Sequence, residues 1–326
     1  MIFRTELNIP ESAVKISHSD QIFMIGSCFT DNIGDRLQKY KFNCTSNPFG
    51  NIFNPISISR LISHSIQKIE INRDQLLHVE NKYVHHDFHS KISDKDPDET
   101  LSKINSSLSS CYNFLINAKF VFITLGTSIA YKSKQTGLVV ANCHKIPSSF
   151  YEKIEITVQD GVFALMDLIE KTKLINKNAE IVFTVSPVRH IKDGVVQNNR
   201  SKARLHQMID ELQKSKPEIK YFPSYEWMLD DLRDYRFYNA DMIHPNEVAL
   251  DYIWSKFSDH YFDIESKELN KTIEKIMQAV NHKAFQPDSP SHQSFCKSNL
   301  NIISDILKNH PKMNFEKEIH EFSKFL

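Results

Sequence analysis

Glycine is scarce in this chain, with seven residues in 326. At that frequency it is not filler, and each glycine marks a place where the backbone needs unusual freedom. Charge imbalance is absent as well. Forty Lys and Arg balance forty Asp and Glu, which leaves no electrostatic case for nucleic acid or an acidic membrane surface as partner. No apolar run approaches the roughly 18 residues of a membrane span. The opening Met1-Ile2-Phe3-Arg4-Thr5-Glu6 lacks a basic stretch followed by an apolar core, so neither a signal peptide nor a membrane anchor is expected. The five cysteines are odd in number and lack zinc-type Cys-x-x-Cys spacing, which argues for a reduced, cytoplasmic protein over a disulfide scaffold. Internal repeats and low-complexity tracts are also missing.

What is present can build a sizeable core: 40% hydrophobic residues, including 22 Phe. Short apolar runs at 21–25, 120–125, 180–186 and 219–223, with a weaker one at 41–45, read as strands. Helical patterns fill 30–40, 56–70, 99–118, 158–175, 198–215 and 245–262. Such alternation implies right-handed crossovers and a mainly parallel sheet covered on both faces. In sheets of this kind sites form where loops leave the carboxyl ends of strands.

Two segments fall at such ends. The run Ile22-Phe23-Met24-Ile25 stops abruptly in Gly26-Ser27-Cys28-Phe29-Thr30-Asp31-Asn32. A hydroxyl and a thiol thus follow a sharp turn, at the mouth of a helix whose free N–H groups favour an anion. Asp241-Met242-Ile243-His244-Pro245-Asn246 then places a carboxylate and an imidazole on one loop. A carboxylate that fixes the tautomer of a histidine makes it an effective general base. Nucleophile, base and orienting acid are therefore Cys28 or Ser27, His244 and Asp241.

The chain resembles the GSCFA domain family, placed within the SGNH (GDSL-like) hydrolase superfamily. The resemblance rests on Gly26-Ser27-Cys28-Phe29-Thr30, Asn47-Pro48-Phe49-Gly50 with Asn54-Pro55, Thr124-Leu125-Gly126-Thr127, Asn142-Cys143-His144-Lys145, Ser186-Pro187-Val188-Arg189-His190 and Asp241–Pro245. It covers about residues 1–260 and implies a flavodoxin-like, three-layer α/β/α fold with five strands in the order 2-1-3-4-5. The superfamily's first block reads Gly-Asp-Ser, often followed by Leu-Thr-Asp-Asn. Aligning Thr30-Asp31-Asn32 with its Thr-Asp-Asn puts Cys28 at the nucleophile position, with Ser27 the alternative. A thiol at a helix N-terminus beside an imidazole is expected to ionise below the free-cysteine value of about 8.5. The second block implies Gly50 as an oxyanion donor. The third offers Gly126, but no Gly-x-Asn follows, so Thr127 or Asn51 is left to supply the missing donor.

Other polar residues are candidates for contacts to substrate: His89, which the family resemblance implies in a His-Ser pair with Ser90, His144, and Arg189, which suits a carboxylate or phosphate. His85, Asp87 and His89 would share one strand face and form a possible metal set, yet a polar pocket face is the favoured reading, and no metal or other cofactor is expected. Hairpins are expected over 76–93 and 129–141. The resulting picture is an α/β domain over 1–262 with a C-terminal extension of two or three helices over 263–326. Its expected chemistry is hydrolysis or transfer of an acyl ester, such as acetyl on a carbohydrate-like hydroxyl. The competing reading is a binding module that keeps the fold without turnover. Oligomeric state is open.

Overall fold

Residues 21–26 alternate in direction and are buried on both sides, as a central strand requires: Phe23 and Ile25 face one layer of helices, while Ile22 and Met24 are buried on the opposite face. In the computed structural model, which describes residues 5–282 and 285–326, this strand opens an alternating series. In chain order the elements are β1 (Gln21–Gly26), α1 (Cys28–Lys39), β2 (Asn43–Ser46), α2 (Pro55–Ile66), β3 (Leu77–Val79), β4 (Lys82–Val84), α3 (Pro97–Leu115), β5 (Ala118–Leu125), β6 (Ile129–Ser133), β7 (Val139–Val140), β8 (Tyr151–Glu155), α4 (Val158–Ile175), β9 (Glu180–Val185), α5 (Val195–Ser215), β10 (Lys220–Tyr221), a single turn α6 (Ser224–Glu226), α7 (Glu247–Tyr261), α8 (Ile264–Asn281), α9 (Pro290–Asn309) and α10 (Glu316–Ser323).

The main sheet runs β10-β9-β5-β1-β2. Numbered along the chain, that is the order 2-1-3-4-5 implied by the family resemblance. β1 pairs with β5, β5 with β9 and β9 with β10, all parallel. Leu61 and Ile62 of α2, Leu108 of α3, Leu165 of α4 and Leu205 of α5 pack onto the face formed by Phe23, Val121, Ile123, Ile181 and Phe183. The hairpin expected over 129–141 forms, but the one expected over 76–93 is confined to Leu77–Val84; residues 85–89 leave the strand in a turn, so His85, Asp87 and His89 do not share a strand face. β3 and β4 join through Glu80 and Asn81, both at positive φ, as a tight two-residue hairpin turn demands. β6 and β7 pair as expected, but β8 adds on the other side of β6 to make a three-stranded antiparallel sheet. That strand had no expectation, because Tyr151–Glu155 carries a weak buried pattern and three charges.

The described residues fall into two compact units, one within Met1–Asn8, Gln21–Gly34 and Thr45–Ile253, the other within Ile9–Asp20, Asp35–Cys44 and Trp254–Leu326. In the second, α8, α9 and α10 bury Ile273, Ile276, Ile303 and Phe322 together. Ser289 caps α9 through its side chain, with Pro290 at the first helical position. No helix among the described residues is long and apolar enough to cross a membrane.

Candidate active site

Gly26 is the residue that permits the turn after β1. Its φ is +146°, and a Cβ there would lie 2.1 Å from the carbonyl oxygen of Thr124 in β5. The two residues after it diverge. Ser27 is fully buried. Its hydroxyl donates to Ser186 Oγ at 2.9 Å and accepts the Phe29 N–H at 3.3 Å, the position of a helix N-cap. Cys28 is the first residue of α1 and is partly exposed. The division is physical: the smaller polar side chain closes the helix from below, and the thiol is left at the mouth.

The expected low thiol pKa is not what this environment gives. Burial, then the Asp31 carboxylate, push the Cys28 thiol up. The N–H groups at the helix mouth and the charge of Lys202 pull the other way without reversing the shift. Helix-terminal polarity is outweighed by desolvation and a like charge.

The imidazole and carboxylate come together as expected. His244 Nδ1 lies 2.7 Å from Asp241 Oδ2. The other oxygen, Oδ1, accepts the N–H groups of Ile243 and His244 at 2.8 and 3.0 Å. Hydrogen bonds from the His244 side chain and from these backbone groups hold the Asp241 carboxyl down at about 2. A carboxylate that only accepts makes Nδ1 the donor, which leaves the Nε2 lone pair of neutral His244 for a proton. Asn239 N–H donates to the His244 carbonyl at 2.8 Å, and Met242 sits at φ +57° to make the bend. Pro245 and Asn246 then start α7, with Asn246 Oδ1 accepting the Ala249 N–H at 3.1 Å.

The remaining candidates separate. Arg189 holds the loop: its Nη1 donates to Met242 O at 2.9 Å, its N–H to Ile243 O at 3.2 Å, and its guanidinium lies 5.7 Å from the ring centres of both Tyr235 and Tyr238. Gly50 is at φ +75°, and its N–H closes a turn onto Asn47 O at 2.8 Å, so this donor is committed. The N–H groups of Gly126 and Thr127 both go to Phe53 O, and the Thr127 hydroxyl pairs with Ser201 Oγ at 3.0 Å. Asn51 uses its carbonyl oxygen to accept from Asn47 at 2.9 Å, which keeps its NH₂ group as a donor. His144 spends both ring nitrogens, on His85 O at 2.8 Å and Ser90 Oγ at 3.0 Å, and is a structural residue. His89 Nδ1 accepts the Lys91 N–H at 3.2 Å, so its Nε2–H is the free donor. Asp87 is gripped by the Arg60 guanidinium through both oxygens. Among the described residues no group of three or more His, Cys, Asp or Glu is arranged for a metal ion.

Two residues, Asn47 and Lys202, were given no role by the sequence reading. Asn47 ties the turn together: its Oδ1 accepts the Gly26 N–H at 2.8 Å, and its Nδ2 donates to Asp31 at 2.7 Å and to Ser27 O at 3.3 Å. Lys202 is fully enclosed, donating to Gly126 O at 2.8 Å and Ser186 O at 2.6 Å. Its signal was present, because it lies on the apolar stripe of α5 with Leu205, Met208, Ile209 and Leu212. Lys202 acts on both the Cys28 thiol and His190, and His190 in turn feels His244. A cavity of about 260 Å³ is lined by Arg189, Asn198, Lys202, Tyr225, Tyr235 and Tyr238; Cys28, Asp241 and His244 are not among its lining residues.

No curated protein matches the chain significantly. Among solved structures, an acetyl xylan esterase from the rumen bacterium Butyrivibrio proteoclasticus aligns with 83% of this chain at 11% identity and a TM-score of 0.36; the chain spans 66% of that protein's length. The sequence model of the GSCFA family matches residues 21–257, and that of the GSCFA domain protein, C-terminal domain, matches residues 273–326. A match over most of its length makes the chain a member of the GSCFA family.

Proposed function

We propose that this protein cleaves or transfers an acyl group from an ester, with Cys28 as nucleophile, His244 as general base and acid, and Asp241 as the group that orients His244. The observation that carries the reading is the 2.7 Å pairing of His244 Nδ1 with Asp241, which leaves Nε2 free on the loop after β10 while a partly exposed thiol stands at the first position of α1.

The raised thiol sets the order of events. Cys28 rests as the neutral thiol, so His244 Nε2 takes the Sγ proton as sulfur bonds to the ester carbonyl carbon. The carbonyl oxygen becomes an oxyanion. Its donors are the Cys28 N–H, free at the start of a helix, and the Asn51 amide; the N–H groups of Gly50, Gly126 and Thr127 are already engaged. Collapse expels the alcohol, which leaves with the proton from His244, and the acyl group stays on sulfur as a thioester. Water or a second alcohol then attacks, with His244 again taking the proton. The substrate class we favour is an O-acetylated carbohydrate: Arg189, which holds the His244 loop, and the two tyrosines beside it offer an aromatic and hydrogen-bonding surface of the kind sugar hydroxyls use.

A second reading, a binding module without turnover, draws on the engaged N–H groups, which leave a reduced oxyanion site. The two are separated by incubation with p-nitrophenyl acetate followed by intact mass and peptide mapping. A 42-dalton-scale acetyl adduct (roughly one acetyl per chain) on Cys28, with turnover above Cys28→Ala, supports catalysis. Neither adduct nor turnover supports the binding module.

A further inference from the structure

The cavity of about 260 Å³ has no part in the chemistry above, since none of Cys28, Asp241 and His244 lines it. Its walls come from the loop after β9, from α5 and from residues 225–238. Val188, Met228 and Leu232, all buried, give it an apolar side. Four charged side chains also line it, and two of them are paired already: Arg233 with Asp230, and Asp234 with Arg236. The other two, Arg189 and Lys202, have no carboxylate partner among the described residues. Arg189 commits one guanidinium nitrogen, to Met242 O at 2.9 Å. Lys202 is fully buried and donates to two carbonyl oxygens, Gly126 O at 2.8 Å and Ser186 O at 2.6 Å. An ammonium has three N–H donors, so one of them is left without an acceptor among the described residues. The ring of Tyr225, another lining residue, lies 5.9 Å from this nitrogen.

We infer that this cavity binds a small organic carboxylate, with its charge toward Lys202 and Arg189 and its apolar body against Val188, Met228 and Leu232. Carbonyl dipoles alone compensate a buried cation poorly, so an anionic partner is called for. The protein supplies none. The titratable groups that act on Lys202 or lie against it are Cys28, His190, His206 and Tyr225, and burial keeps the thiol and the phenol protonated and both imidazoles neutral. The apolar side selects among anions. A phosphate dianion would lose its hydration there without return, whereas a monoanion with an apolar body buries that body. The charge state of Lys202 fits the same ligand. Burial pulls its amine down to about 7, and the two N–H groups of a neutral amine suffice for the two carbonyls. A carboxylate accepts the third N–H, so it brings a proton onto the amine as it binds. Arg189 carries its charge throughout.

The site uses neither Cys28 nor His244 nor Asp241, so it stands or falls apart from the esterase reading, and its test needs no ester. Affinities for butyrate, n-butanol and inorganic phosphate are measured by ligand-observed NMR at about pH 6, where Lys202 is mostly protonated. Butyrate should bind. The alcohol, which keeps the apolar body and lacks the charge, should bind about ten- to a hundredfold more weakly, and phosphate should also bind more weakly than butyrate. Lys202→Met should lose at least about tenfold in butyrate affinity. Absence of butyrate binding, an affinity for n-butanol or phosphate equal to that for butyrate, or an unchanged butyrate affinity in folded Lys202→Met overturns the proposal. Should Lys202→Met fail to fold, the wild-type lysine ¹³Cε signal that titrates near neutrality carries the test. Saturating butyrate should raise its midpoint by about one pH unit, and n-butanol should leave it in place; a midpoint unmoved by butyrate overturns the proposal.

Discussion

Replacing Ser27 and Cys28 in turn by alanine asks the site to choose its nucleophile, and the structure sets the scale of each answer. The Ser27 hydroxyl is fully buried, donates to Ser186 and caps α1 through the Phe29 N–H. Ser27→Ala removes a helix cap, worth about 1 kcal/mol. It also leaves the buried Ser186 hydroxyl without its donor, which costs about 1–3 kcal/mol more. A loss of roughly 2–4 kcal/mol lies within what a folded domain tolerates. Ser27→Ala should therefore unfold at clearly lower urea while its kcat/KM on p-nitrophenyl acetate stays within about tenfold of wild type. Cys28→Ala should show the opposite split: nearly unchanged urea midpoint, with kcat lowered on the order of 10⁴-fold or to background. The assay pairs urea denaturation with initial rates under conditions where each variant is folded. A folded Ser27→Ala without activity beside an active Cys28→Ala would make Ser27 the nucleophile and refute the division of labour drawn from burial.

Further outcomes follow from the same geometry. His244→Ala should lower kcat about 10²–10⁴-fold without a change in fold by circular dichroism, and Asp241→Asn should retain more activity. Because the Asp241 carboxyl is held near 2, its contribution to stability is complete above its unfolded value of about 4 and is lost only as pH falls through about 2; activity between pH 5 and 8 should show no Asp241 titration. His85, His190 and His206 are each pushed down to about 4 by burial. The unfolded chain then binds their protons first, so urea stability should be flat above pH 6.5 and fall by up to about 1.4 kcal/mol per pH unit for each histidine between 6.5 and 4; a stability independent of pH in that window would contradict their burial. Gly26→Ala, whose Cβ meets a backbone carbonyl at 2.1 Å, should cost more than about 3 kcal/mol, whereas Gly137→Ala, at φ +70° with open space around it, should cost about 1–2 kcal/mol for the backbone conformation alone. Prolonged dialysis against a strong chelator should leave activity unchanged, since Asp87 is committed to Arg60.

The parts legible in the sequence are those set by local pattern. Buried strands such as 120–125 declare themselves by continuous apolar runs, and their helices by periodicity, so the alternating fold could be read with only small shifts at element ends. The Asp241–His244 pair was legible because three residues of one loop suffice to bring the groups together. What could not be read depends on contacts between distant segments. Gly50, Gly126 and Thr127 were reasonable oxyanion donors by position, and only the paths of Asn47 and Phe53 show that their N–H groups are already taken. His144 looked available until the chain brought Ser90 and the His85 carbonyl to its two nitrogens.

The thiol shows why motif logic alone misjudges a site. A cysteine at a helix N-terminus carries a real bias toward ionisation, but the bias is a difference between opposing effects. The sequence displays the helix and even Asp31, three residues after Cys28; it does not display how deeply the thiol is covered or that Lys202 on α5, far along the chain, is buried against the Ser186 carbonyl. Burial raises the energy of the thiolate by excluding water, and the N–H groups at the helix mouth do not make up the difference. On the proposed mechanism a thiol covered in this way stays protonated at rest, and its ionisation depends on His244 receiving the proton. On that reading the order of proton transfer and attack follows from packing around the turn, and it is this packing that the substitution at Ser27 interrogates.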